Sequence, residues 1–73
     1  MDAYSLADRL DTMQEVENQG RGVCCVQTLV TYLRRGQMDE ARAVCSNEWD
    51  KIRSYGKIAG TLKESGLVPV EWV

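Results

Sequence analysis

The chain has 73 residues, 44% hydrophobic and 27% charged, with nine basic residues against eleven acidic ones and a net charge of −2. That length allows one domain, the acidic balance gives no general attraction to nucleic acid or an anionic membrane, and no apolar run approaches the ~18 residues of a spanning helix. Histidine is absent, which removes the commonest general base and metal ligand.

The first predicted element is an amphipathic helix over residues 5–18. Ser5, with Asp8 three residues on, has the pattern of a capping box. Leu6, Leu10, Met13 and Val16 (or Glu17 beside it) recur at three- and four-residue steps and form one apolar stripe. Asp8, Asp11, Glu15 and Glu17 make up most of the solvated face. Asn18-Gln19-Gly20-Arg21-Gly22 then stops the helix, because paired glycines favour a turn.

The second element, residues 22–35, is rich in β-branched, thiol and aromatic side chains, and propensity alone favours a strand. Its length is more than twice the ~5–6 residues of a typical strand. Val26, Leu29, Val30 and Leu33 fit a helical stripe better than alternation. A helix is therefore expected, central in the fold because it is apolar on more than one face.

Gly36 ends that helix, and Asp39-Glu40-Ala41 opens the next, with acidic residues suited to the positive end of a helix dipole. The two make a helical hairpin. The third element is expected over residues 39–65. Ala41, Val44, Cys45, Trp49, Ile52 and Tyr55 keep the helical period, and Ile58, Ala59 and Leu62 continue it. Gly56 and Gly60 each cost about 1 kcal/mol relative to alanine, so a kink or split near Gly56 is expected as an alternative to one long helix.

The tail, residues 67–73, is apolar and reads as extended because of Pro69 and its β-branched neighbours. Trp72, Val70 and Val73 could dock on a partner. Equally, Trp72 could fold back to cap a small core. Trp49 and Tyr55 are expected in the core or in an interface.

The three cysteines, two of them adjacent, suit neither a disulfide framework nor a structural zinc site. No cofactor or metal is implied. No basic, apolar, small-residue leader is present, so a cytoplasmic protein with reduced thiols is expected. Cys24 and Cys25 lie near a helix start beside Arg21, where a thiol could be activated; the alternative is that they are packing residues.

Positive charge falls at Arg21, at Arg34-Arg35, and along Lys51, Arg53 and Lys57. These do not form one compact patch on a folded hairpin. Tyr32, Gly36 and Ala41 have the relative spacing of the helix-to-helix turn of a tetratricopeptide repeat, and Asp39-Glu40-Ala41 resembles the start of that repeat's second helix. The likeness covers about twenty-five residues in a single copy, where such repeats need about three stacked units. Cys25 and Leu29 stand where the family has its large aromatic and small residue. It is read as convergence on a short helix turn, with no implication of peptide binding.

The expected fold is an all-α bundle of three helices with an extended C-terminal tail. The expected function is a small non-catalytic protein–protein interaction module, an adaptor or an inhibitor of a larger complex. Origin in a phage or mobile element is the analogy attached to it. An apolar content of 44% exceeds what a thin bundle buries, so a homodimer built on the second and third helices is expected. The alternative is a nucleic-acid-associated accessory factor using Arg34, Arg35, Lys51, Arg53 and Lys57. No membrane partner is expected.

Overall fold

The computed structural model describes residues 2–17 and 23–72. Among them the chain forms five helices: α1 (Ala3–Glu17), α2 (Cys24–Arg34), α3 (Met38–Asn47), α4 (Trp49–Ile52) and α5 (Gly56–Ser65). α1 and α3 flank α2, α5 lies against α1, and the short α4 bridges α3 to α5. The expected all-α bundle is present, with α2 at its centre.

Two features of the first helix differ from the sequence expectation. The cap is Asp2, not Ser5: the Asp2 Oδ1 accepts the Ser5 backbone N–H at 2.7 Å. This is the bond from cap to third residue, and it holds the Asp2 carboxyl below its ordinary value. The apolar stripe is also rotated. Leu6, Ala7, Leu10 and Gln14 are buried, whereas Val16 is 63% exposed. Residues 18–22, the predicted glycine stop, lie outside the described residues.

The hairpin turn follows from Gly36. It takes φ +71°, which glycine adopts without a Cβ penalty. Gly36 N–H donates to the Leu33 carbonyl at 3.1 Å and Gln37 N–H to the Tyr32 carbonyl at 3.0 Å. This paired closure is a Schellman motif, satisfying carbonyls that the helix end would otherwise leave open.

The third predicted element is three helices. A straight helix over residues 39–65 would run about 40 Å at 1.5 Å per residue, while the molecule measures 28 × 25 × 20 Å. The chain must fold back to cover its own core. It does so first at Glu48 and again at Arg53–Tyr55, just before Gly56. The break near Gly56 agrees with the sequence expectation; the one at Glu48 had no glycine or proline to announce it. Periodicity survives both breaks because Cys45, Ile52, Ile58 and Leu62 are all fully buried against one core.

The tail is not extended. Gly66 ends α5 at φ +81°, Leu67 and Val68 join the core, and Trp72 N–H closes a turn onto the Pro69 carbonyl at 3.3 Å. The accessible surface is 4480 Å², against about 4500 Å² for a folded monomer of this mass. Leu67 and Val68 of the tail and Ile58, Ala59 and Leu62 of α5 are buried.

Candidate interaction surface

The aromatic residues singled out in the sequence come together at the tail. Trp72 meets Trp49 edge-on, with ring centroids 5.3 Å apart and planes at 66°. Such pairs add about 0.5–1.5 kcal/mol beyond burial. The Lys63 ammonium lies 5.9 Å from the Trp49 ring centroid, a cation–π placement. Trp49, Tyr55 and Trp72 are all half-buried against the core, so Trp72 folds back as the second of its two readings anticipated. Val70 is 74% exposed, and Val73 lies outside the described residues.

Several other cations lie beside carboxylates. Arg34 reaches α1, with its guanidinium 3.1 Å from Asp8 and 3.6 Å from Asp11. Lys51 pairs with Glu48 at 3.4 Å, Arg53 with Asp50 at 3.7 Å, and Arg42 with Asp39 at 3.6 Å. Each pair is surface-exposed and contributes about 0–1 kcal/mol. Each places a carboxylate beside the cation, which lowers the local positive potential. Arg35 is exposed at the end of α2.

The thiols divide by depth. Cys24 is exposed, and Cys25 and Cys45 are buried. Burial pushes the Cys45 thiol up to about 12, with Cys25 nearby adding to the shift. Burial, then the Glu48 carboxylate, raises Cys25 as well. A reactive cysteine needs the opposite shift, so Cys25 and Cys45 are packing residues in this environment. Among the described residues, no group of three or more Cys, Asp or Glu side chains is placed to hold a metal ion. Nor is any described helix long and apolar enough to cross a membrane.

Two polar side chains have roles that the sequence pattern concealed. Gln14 is 2% exposed. Its Oε1 accepts the Val23 backbone N–H at 2.7 Å and its Nε2 donates to Asp11 at 3.2 Å, which ties the start of α2 to α1. A polar residue four positions after Leu10, on the buried stripe, was the available signal. Glu17, assigned to the solvated face, instead accepts the backbone N–H groups of Lys57 at 2.9 Å and Ile58 at 3.4 Å. It caps α5, whose own N-cap Tyr55 makes no side-chain cap bond. No local pattern marks a cap drawn from another helix.

The outer side of the α2–α3 hairpin carries a groove of about 200 Å³. Cys24, Cys25 and Thr28 of α2 face Val44, Asn47 and Glu48 across it. The exposed positions of α2 before Arg34 are Cys24, Gln27, Thr28 and Thr31, all uncharged. The Thr28 hydroxyl donates to the Cys24 carbonyl at 3.1 Å and the Thr31 hydroxyl to the Gln27 carbonyl at 3.0 Å. These back-bonds hold both hydroxyls against their own helix. A wider, open hollow of about 310 Å³ on α1 is framed by the charged Asp8 and Arg9. No protein-family model matches the chain, and no curated protein or solved structure matches it.

Proposed function

We propose that this chain is a non-catalytic protein–protein interaction module, an adaptor or an inhibitor of a larger complex, acting in the cytoplasm. It works through the outer face of the α2–α3 hairpin. The observation that supports this reading is the groove of about 200 Å³ beside an uncharged helix face, in a chain that is 27% charged. Interface centres are depleted in charge relative to the rest of a surface. Buried thiols with raised pKa values and cations held by carboxylates lend no comparable support to thiol chemistry or to phosphate contact.

The test is affinity capture from the native host, read by mass spectrometry, with three forms of the protein. Wild type should enrich a defined protein partner. Thr28→Glu, which puts a charge in the middle of the face, should lose it. Thr12→Glu, on the outer side of α1, should retain it. Equal capture by Thr28→Glu and wild type would overturn the reading.

A further inference from the structure

We propose that Met13 is a modification site, oxidised by hydrogen peroxide to the sulfoxide, and that the Thr61 hydroxyl holds the oxidised side chain in the seam between α1 and α5. The site shares no residue with the hairpin groove and is independent of the contact reading above.

The Thr61 hydroxyl is the unusual group. A threonine inside a helix can donate to the carbonyl four residues before it. Thr12, Thr28 and Thr31 do so, to Asp8, Cys24 and Gln27, at 3.1, 3.1 and 3.0 Å. Thr61 instead reaches from α5 to α1 and donates to Met13 Sδ at 3.4 Å. It is only 5% exposed, so water offers little as an alternative partner. A thioether sulfur is a weak acceptor. A buried hydroxyl is thus aimed at an atom that uses its hydrogen poorly.

Met13 is reachable as well as anchored. Its side chain packs against the core and also lines the open hollow of about 310 Å³, together with Asp8, Arg9 and Thr12. That hollow has room for hydrogen peroxide. Met38, also half-buried against the core, lines a smaller hollow of about 60 Å³.

The chemistry is an oxygen transfer. A lone pair on Sδ attacks one peroxide oxygen; the S–O bond forms and the O–O bond breaks. The departing hydroxide takes up the proton of the transferred oxygen and leaves as water. Sulfur is oxidised and the peroxide is reduced. The product oxygen carries partial negative charge and accepts hydrogen bonds far better than the thioether. Methionine is unbranched and flexible, and the hollow lets the sulfur draw back as the oxygen takes its place against the Thr61 hydroxyl. Sulfoxidation commonly disrupts a core, because a polar group replaces an apolar one. Here that group finds a donor already in place.

The test is peroxide titration of the folded full chain, followed by dithiothreitol to return the thiols to their reduced state. Each methionine falls on its own tryptic peptide, so mass spectrometry locates the added oxygen. Met13 should be oxidised ahead of Met38. Urea titrations of oxidised and unoxidised protein then measure what oxidation costs each variant, with Met13→Leu giving the cost of oxidation elsewhere in the chain. Thr61→Val and Thr61→Ala both remove the hydroxyl. Oxidation should cost each of them about two- to tenfold more in the folding equilibrium constant than it costs wild type, the worth of one hydrogen bond. Thr61→Ser keeps the hydroxyl and should match wild type. Oxidation of Met38 ahead of Met13, or an equal cost in wild type and in the variants lacking the hydroxyl, would overturn the inference.

Discussion

The carboxylate of Glu17, at the end of α1, accepts the backbone N–H of Lys57 at 2.9 Å, across a sequence separation of 40 residues. A helix normally finds its cap in the residue just before it. Here α5 begins after Tyr55 with no side-chain cap of its own, and packing α1 beside α5 supplies one.

Removing that cap should weaken the fold. Glu17→Ala is expected to cost about 0.5–2 kcal/mol, the range for loss of a capping oxygen. In a domain of this size that lowers the midpoint by roughly 4–8 °C per kcal/mol. Glu17→Gln keeps one acceptor oxygen and should cost less. Thermal melts followed by circular dichroism at neutral pH decide it; equal melting of Glu17→Ala and wild type would show that the cap contributes nothing.

Gln14→Leu should destabilise although it makes the core more apolar. The buried Val23 N–H would lose its acceptor, and an orphaned buried donor costs about 1–3 kcal/mol. Urea titration measures the loss. A Gln14→Leu variant as stable as wild type would mean that water reaches Val23.

The tail should behave as part of the core. Truncation after Pro69 removes Trp72 from Trp49 and is expected to cost at least the ~0.5–1.5 kcal/mol of the ring pair. The Trp49 fluorescence should shift to the red as its ring meets water. Val70→Asp should change stability by no more than about 0.5 kcal/mol, since Val70 is 74% exposed.

Alkaline pH should destabilise the fold through Cys45. Its thiol rises from an ordinary 9.0 to about 12 on burial, so the folded state holds the proton more tightly than the unfolded chain. The stabilisation is complete below pH 9.0 and is lost as pH rises through the folded value. Urea midpoints above pH 9.0 should fall less steeply in Cys45→Ala than in wild type. In the native protein a maleimide should label exposed Cys24 well before Cys25 or Cys45.

Generic duplex DNA and single-stranded RNA should show no salt-sensitive binding. Arg34, Lys51 and Arg53 already face carboxylates, and the net charge is −2. Fluorescence anisotropy at low ionic strength measures it; an affinity falling steeply with added salt would restore the nucleic-acid alternative.

The sequence by itself determined the helical class, the Gly36 turn and the apolar faces of the second and third elements, and it offered a break near Gly56 as one of two alternatives. Each is a local matter. Gly36 ends α2 because the left-handed backbone there costs it nothing, and Leu29, Leu33, Cys45 and Ile52 reveal their burial by spacing alone. Tertiary structure decided the rest. The bend at Glu48 answers to the finite width of the molecule, and periodicity records which residues face inward but not the direction of the axis. Glu17, placed on the solvated face, and Gln14, left unassigned by the pattern, gained their roles only when α5 and Val23 were brought to them. Arg34 was one cation among several until α1 supplied Asp8 and Asp11. The groove on the hairpin exists only once α2 and α3 lie side by side, because a concave surface belongs to the pair and to neither helix alone.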